Sequence, residues 1–365
     1  MSTPQGPSDV IWDITYACPL RCVHCYSESG RRPARQLNRD EMLRAADAIV
    51  SLRPQAVEFA GGEPLLVRDL LEVAGRISGA GVAVNLYTGG WTFDRRWAEE
   101  ASEIFSRITV SVDGASAGVH DRIRGRAGSY ERAMRTLAIL DEVSGERVAR
   151  GAGPVEFGVD YAVVRSNLHE LEEFSRAVAP RFPNLRFLTF AAAVPSGLAS
   201  RKEFAEHELL DFDRLRTLVS REHVERLRSL APRSVQLMTS NNMILMMHPE
   251  LVKRHGFPML QVEPDGEVRA MPIYEGTVGS LLTEDAGTLW ERVQERWSDP
   301  FVVETLSAVR SMQDWAEATR RLDYHFGTDE VRRRIVRRPP YTLDDRTSGQ
   351  GHIASMAGPA SGHQL

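Results

Sequence analysis

The first two hundred residues alternate strand-like and helix-like stretches, and no other feature of the chain limits its fold as much. Apolar, β-branched runs at 10–15, 56–59, 83–87, 107–112, 156–164 and 185–190 read as strands. Between them, 39–52, 67–80, 95–105, 129–143 and 168–179 carry a helical period. Asn38 followed three residues later by Glu41 predicts a capping box at the start of the first helix. Strands alternating with helices imply parallel pairing through crossovers, and six such units fit an open or partial (β/α)6 TIM-like barrel. In barrels of this kind, chemistry gathers at the C-terminal ends of the strands.

The character changes after Ser200. Residues 201–233 are charged and helical, 234–247 are apolar and Met-rich, and 259–273 read as a hairpin turning at Pro264-Asp265-Gly266. A helix is expected over 285–297. The organisation expected is a tail (1–9), the barrel (10–200), a helical connector (201–233), a smaller α/β extension (234–337) and a disordered tail (338–365) rich in Pro, Gly, Ser and His. At 365 residues and 42% hydrophobic, the chain has enough apolar material for a barrel core. It has no run of ~18 apolar residues, so no membrane span or membrane partner is expected. The start lacks the pattern of a secretory signal, and three clustered cysteines do not form a disulfide framework; together these point to the cytoplasm. A net charge of -5 speaks against a nucleic-acid partner.

All three cysteines, Cys18, Cys22 and Cys25, lie in one loop directly after the first strand. Three thiolates on one loop can hold a metal centre and leave a coordination position open for chemistry. A structural zinc site is the plainer alternative, but it needs a fourth ligand such as His24 and more often draws on pairs distant in sequence. The second strand ends in Gly61-Gly62-Glu63-Pro64, where glycine allows close approach and Glu63 offers a carboxylate. The fourth ends in Ser111-Val112-Asp113-Gly114, followed by His120-Asp121-Arg122-Ile123-Arg124-Gly125.

Taken together, these motifs resemble those of the radical S-adenosylmethionine (SAM) superfamily, in matching order over residues 9 to 200. The resemblance implies that Cys18, Cys22 and Cys25 hold one [4Fe-4S] cluster whose fourth iron binds SAM. One electron then cleaves a C–S bond, and the resulting 5'-deoxyadenosyl radical abstracts a hydrogen atom. His24 stands at the family's aromatic position and would pack near the adenine. Gly61, Gly62 and Glu63 would meet the methionine amino group, and Ser111 and Asp113 the ribose or methionyl group. Arg124 would pair with a carboxylate of SAM or substrate, and Pro195, in Val194-Pro195-Ser196-Gly197, would lie along the adenine. The family also implies an external electron donor such as flavodoxin or ferredoxin.

From Met259 on, Pro264-Asp265-Gly266, Gly279-Ser280-Leu281 and Trp290 resemble the SPASM extension of peptide-modifying members. Where relatives place a cysteine, this chain has Ala270-Met271-Pro272, so no thiol is left for an auxiliary cluster or as a hydrogen donor. Tyr87, Tyr161 and Tyr274 are the internal donors considered. Only about nine residues precede the first strand, leaving no leader-binding domain ahead of the barrel. The expectation is therefore an enzyme acting on a small polar natural-product intermediate, by dehydrogenation, epimerisation or bond formation. The alternatives are maturation of a ribosomal peptide with a separate leader-binding protein, and a non-catalytic metal-binding sensor.

Overall fold

The computed structural model describes residues 6–342. The elements follow in the order β1 (Asp9–Thr15), α1 (Arg39–Ser51), β2 (Ala56–Gly61), α2 (Leu70–Gly79), β3 (Ala83–Thr88), α3 (Arg95–Ile104), β4 (Arg107–Ser111), α4 (Ala117–Arg124), α5 (Ser129–Ala149), β5 (Phe157–Val163), α6 (Leu171–Glu173) and β6 (Phe187–Ala192). Next come α7 (Lys202–His207), α8 (Phe212–Leu218), α9 (Arg221–Leu230), β7 (Gln236–Ser240), α10 (Pro249–His255), β8 (Met259–Val262), β9 (Glu267–Arg269) and β10 (Thr277–Ser280). Four helices finish the described chain: α11 (Ala286–Trp297), α12 (Pro300–Ser307), α13 (Met312–Phe326) and α14 (Asp329–Val336).

All ten strands form one sheet, ordered β10-β9-β8-β1-β2-β3-β4-β5-β6-β7. Strands β1 to β7 are parallel and lie in sequence order, as expected of an α/β barrel that has not closed. The structure extends the six parallel strands read for the barrel by two. The Met-rich segment supplies β7, parallel to β6, and the first hairpin strand, β8, runs parallel to β1 on the opposite edge. The hairpin itself forms, with β9 antiparallel to β8. A boundary drawn at residue 233 therefore cuts through a continuous hydrogen-bonded sheet.

Each strand turns alternate residues to the helices and to the lumen. Val10, Trp12 and Ile14 of β1 and Val57 and Phe59 of β2 are buried in the helix layer, with Trp12 stacked on Phe59 at 5.6 Å. The capping box of α1 is present: Glu41 N donates to Asn38 Oδ1 and Asn38 N to Glu41 Oε2, both at 3.0 Å. The stretch 168–179, read as one helix, is instead a chain of short 3-10, α and π turns that runs to Arg181, with Pro180, which has no N–H to donate, inside the last of them. The first residues of the tail expected from 338 are packed against the fold. Tyr341 is buried, donates to Glu208 at 2.8 Å and packs edge-on against Phe204. The rest of that tail, from residue 343, and residues 1–5 lie outside the described residues.

Trp12→Ala should lower stability by about 3–5 kcal/mol, because it empties the layer between sheet and helices. Asn38→Ala should cost only about 1 kcal/mol, the usual value of a cap. Chemical denaturation of the two variants measures the difference, and equal costs would contradict this placement of the core.

Candidate active site

The cysteine loop leaves β1 at its C-terminal end and has no regular secondary structure from Tyr16 to Arg35. Backbone contacts fix it on several sides. Arg21 N donates to Arg124 O at 3.0 Å and Val23 N to Ile123 O at 2.9 Å, joining the loop to the end of α4. Leu198 N donates to Cys25 O at 3.0 Å, seating the segment after β6 on the same loop. Gly62 N donates to Thr15 O at 2.7 Å and Glu63 N to Ala17 O at 2.9 Å.

These contacts depend on the two glycines. A Cβ on Gly62 would stand 2.1 Å from Ala17 O, and one on Gly61 (φ +102) would stand 2.7 Å from Thr15 O. Both glycines thus admit the loop's own backbone at the end of β2.

Cys22 is buried, while Cys18 and Cys25 are partly exposed. Burial pushes the Cys18 thiol up to about 12, and the charges of Cys22 and Cys25 add to this. Burial likewise raises Cys22 to about 11, although the Arg124 guanidinium opposes it from 3.8 Å. The three thiols lie within electrostatic reach of one another, and Cys18 and Cys22 need added positive charge to ionise. Among the described residues, no three His, Cys, Asp or Glu side chains gather closely enough to hold a single metal ion. A four-iron cluster takes each thiolate on a different iron and suits a wider triangle. His24 does not supply a fourth ligand, because its Nε2 lies 3.1 Å from Asp113 Oδ2. The donor set fits a cluster held by Cys18, Cys22 and Cys25.

Asp113, expected to meet a ligand, is fully enclosed by protein. Its Oδ2 pairs with Arg124 Nε at 2.6 Å and with His24, and its Oδ1 accepts from Ala162 N at 2.9 Å. Burial works against ionisation, but Arg124 and His24 outweigh it and hold the carboxyl well below its usual range. Two side chains missed in the sequence lock this arrangement. His120 Nδ1 accepts from Asp113 N at 3.0 Å, and Asn167 Nδ2 donates to Asp113 O at 3.0 Å. Burial drops His120 to about 4, keeping it neutral beside Arg124. Asp113 therefore orients Arg124 and His24, and Arg124 spans from that carboxylate to the Cys22 sulfur.

Glu63 is buried at the end of β2. Its Oε1 accepts from Thr88 Oγ1 at 2.8 Å and its Oε2 from Gly89 N at 2.9 Å, so β3 fixes its direction. Burial pushes it up to about 7 despite these donors. Pro195 is buried; its neighbour Ser196 donates to Ile273 O at 2.7 Å, and Gly197 (φ +51) lies against Tyr26 O.

Strand register sorts the three tyrosines. Tyr87 faces the lumen opposite Thr109. Tyr161 points the other way, into Phe174 and Phe190, with its hydroxyl donating to Asn167 O at 3.0 Å. Tyr274 is sealed in the extension, donating to Met246 O at 2.9 Å and accepting from Trp315 Nε1 at 3.0 Å. Neither Tyr161 nor Tyr274 can reach a substrate in the lumen, so both are corrected to packing residues. Ser111 also faces the lumen, opposite Asp160, which in turn lies opposite Thr189. Among the described residues the Asp160 carboxyl has no hydrogen-bond partner, and burial raises it to about 6. With Glu58 and Asn85, joined at 2.8 Å, these residues give the barrel a polar interior instead of the packed apolar layers usual in closed barrels.

In the folded chain Glu63 keeps its proton up to about 7, whereas the unfolded chain releases it near 4.5. The folded state then binds more protons across that window, and stability falls as pH rises through it. Glu63→Gln should flatten this fall in the apoprotein. Denaturation midpoints on both sides of the window test it, and an unchanged pH slope would contradict it.

Comparison with known proteins agrees with this geometry. The model of the radical SAM superfamily matches residues 12–151. Mycofactocin maturase MftC of Mycolicibacterium smegmatis is 32% identical over 179 residues, covering 49% of this chain and 43% of the relative. AdoMet-dependent heme synthase of Methanosarcina barkeri is 31% identical over 169 residues, 46% of each chain. The chain spans less than half the length of these curated relatives. Streptococcus suis SuiB bound to S-adenosylmethionine shares the fold with a TM-score of 0.62 at 13% identity, over 84% of this chain and 69% of that one. Native anSMEcpe with bound AdoMet gives 0.54 at 15% identity, over 89% of this chain and 98% of that one. Superfamily members use a [4Fe-4S] cluster and SAM, and residues 12–151 of this chain are a radical SAM domain on a TIM-like barrel.

Proposed function

We propose that the chain is an enzyme that abstracts a hydrogen atom from a small polar natural-product intermediate held in the barrel lumen, starting a dehydrogenation, an epimerisation or a bond-forming step. The observation that carries this reading is the convergence of the cysteine loop, Glu63 and Arg124 at the C-terminal mouth of a barrel whose interior is polar. Cys18, Cys22 and Cys25 would hold the cluster. Together with SAM it supplies one-electron cleavage of a C–S bond and removal of a substrate hydrogen.

The remaining steps belong to the protein. Glu63, aimed by Thr88 and Gly89, would accept the ammonium of SAM, and that positive charge would drive the carboxyl to ionise. Arg124, fixed by Asp113, would offset thiolate charge at Cys22. Ser111 would present a hydroxyl from the lumen face, and Asp160 beside it an acceptor for a hydroxyl or amine of the bound molecules. Tyr87 is the tyrosine suited to hydrogen donation, because its register faces the lumen.

A second reading is maturation of a ribosomal peptide. It is supported by similarity to mycofactocin maturase and by a fold likeness to SuiB bound to its precursor peptide SuiA, with a TM-score of 0.60. Saturable binding of a short precursor peptide to the barrel would favour it over the small-molecule reading.

Anaerobic reconstitution with iron and sulfide, reduction and addition of SAM should yield 5'-deoxyadenosine at about four irons per chain. Cys22→Ser should fold, retain little iron and reduce 5'-deoxyadenosine to background. Undiminished formation in that variant would refute the cluster assignment. A loaded, reducible cluster that neither binds nor cleaves SAM would favour a non-catalytic sensor.

A further inference from the structure

We infer that the outer face of the cysteine loop, with the adjoining face of α14, is the docking surface for an acidic protein that delivers single electrons. The inference rests on the radical SAM reading above.

Charge is strongly segregated in this chain. Residues 18–35, 120–126 and 332–338 together contain twelve arginines and two acidic residues, in a chain whose net charge is -5. The structure joins the three segments around the cysteines. Arg21 N meets Arg124 O at 3.0 Å, and Arg126 Nη1 donates to Pro19 O at 2.6 Å. Arg334 Nε and Arg338 Nη2 reach Glu28 Oε1, inside the loop, at 3.0 and 2.7 Å.

Part of this charge is neutralised internally. Asp113 pairs with Arg124, and Glu28 with Arg334 and Arg338. Arg21, Arg31, Arg126, Arg333 and Arg337 are exposed, and among the described residues none of the five has a carboxylate within ion-pair distance. The first three do make hydrogen bonds, but to backbone oxygens. Arg21 Nη1 donates to Cys18 O at 3.0 Å, Arg31 Nη2 to Arg21 O at 2.5 Å and Nη1 to Cys22 O at 3.4 Å. A carbonyl accepts a hydrogen bond without cancelling the charge of the guanidinium. On α14, Arg333 and Arg337 are one helical turn apart and flank Val336, which is 77% exposed. Exposed positive charge is thus concentrated on the cysteine loop, the end of α4 and α14, segments that their hydrogen bonds hold together, with an apolar point at Val336.

Such a surface attracts and orients a negatively charged partner over about a Debye length, ~8–10 Å at moderate salt. Its position suggests what the partner brings. Two of the guanidinium groups lie within hydrogen-bond distance of carbonyls belonging to Cys18 and Cys22, so a protein docked here is as close to the thiolates as the outer surface permits. The lumen is left to substrate. In the transfer, an anionic flavin hydroquinone would give up one electron, becoming the neutral semiquinone, and that electron would reduce the cluster that Cys18, Cys22 and Cys25 would hold.

The test uses the full chain with its cluster reconstituted, and a purified flavodoxin as probe. Binding is measured by calorimetry over a series of salt concentrations. Parent affinity should fall steeply with salt. Arg333→Glu with Arg337→Glu should weaken binding about tenfold or more at low salt and flatten the salt dependence, whereas Arg333→Lys with Arg337→Lys should keep both. Neither pair contacts the thiols or the loop, so 5'-deoxyadenosine formation driven by dithionite should be unchanged. Equal flavodoxin binding by the parent and the charge-reversed variant would overturn the inference, as would heparin binding as tightly as flavodoxin. Failure of dithionite to drive SAM cleavage in the parent would instead count against the radical SAM reading, since binding is measured separately.

Discussion

A loop without regular secondary structure must find partners for its backbone polar groups outside itself, and the cysteine loop meets that demand from almost every neighbouring part of the molecule. The end of α4 takes its N–H groups; Arg21, Arg31, Arg126 and Arg201 take its carbonyls; the segment after β6 seats on Cys25. The barrel strands are arranged so that these donors and acceptors arrive at one place. Gly62 and Gly197 are there because a side chain at either would collide with loop backbone.

The same economy governs the charges. Asp113 is buried and Arg124 nearly so, and the carboxylate is tolerable there because the guanidinium is present. Arg269, fully buried, is held by Glu263 and Glu275 at 2.7 and 3.3 Å, and Glu275 also meets Arg334. That ion network stands at the joint between barrel and extension, where the sequence offers no thiol. By contrast, burial raises Glu63, Asp13 and Asp160 towards neutral pH. Two kinds of buried acid therefore coexist. One kind is committed to an arginine and structural, while the other is poised to ionise when a cation or a proton acceptor arrives.

Much of this was legible in the sequence. The six strands could be read because each carries an apolar face at a period of two, and the cap of α1 because Asn38 and Glu41 stand at the right spacing. Strand β7 was hidden in a Met-rich run that has neither alternation nor a clear turn before it. Helix α4 was hidden because its residues read as a turn motif, although Ser116 caps it and Gly125, in the left-handed conformation, ends it. The tyrosines could have been sorted by counting. Tyr87 is in step with Asn85 on the polar face of β3, whereas Tyr161 is in step with the apolar Val159 and Val163 of β5. Asp160 gave the same kind of signal, a single acid on the alternate face of an apolar strand. The roles of His120 and Asn167 gave none, because they depend on contacts that only the folded chain creates.

Glu28 adopts a left-handed backbone conformation (φ 54) within the loop, and its two guanidinium partners lie 306 and 310 residues further along the chain. During synthesis the cysteines emerge among the first residues, but the last buried charge of their loop goes uncompensated until α14 has been made. Completion of the loop is thus a late event, and a shortened chain ending before α14 would carry every thiol yet lack the contacts that close the loop around them.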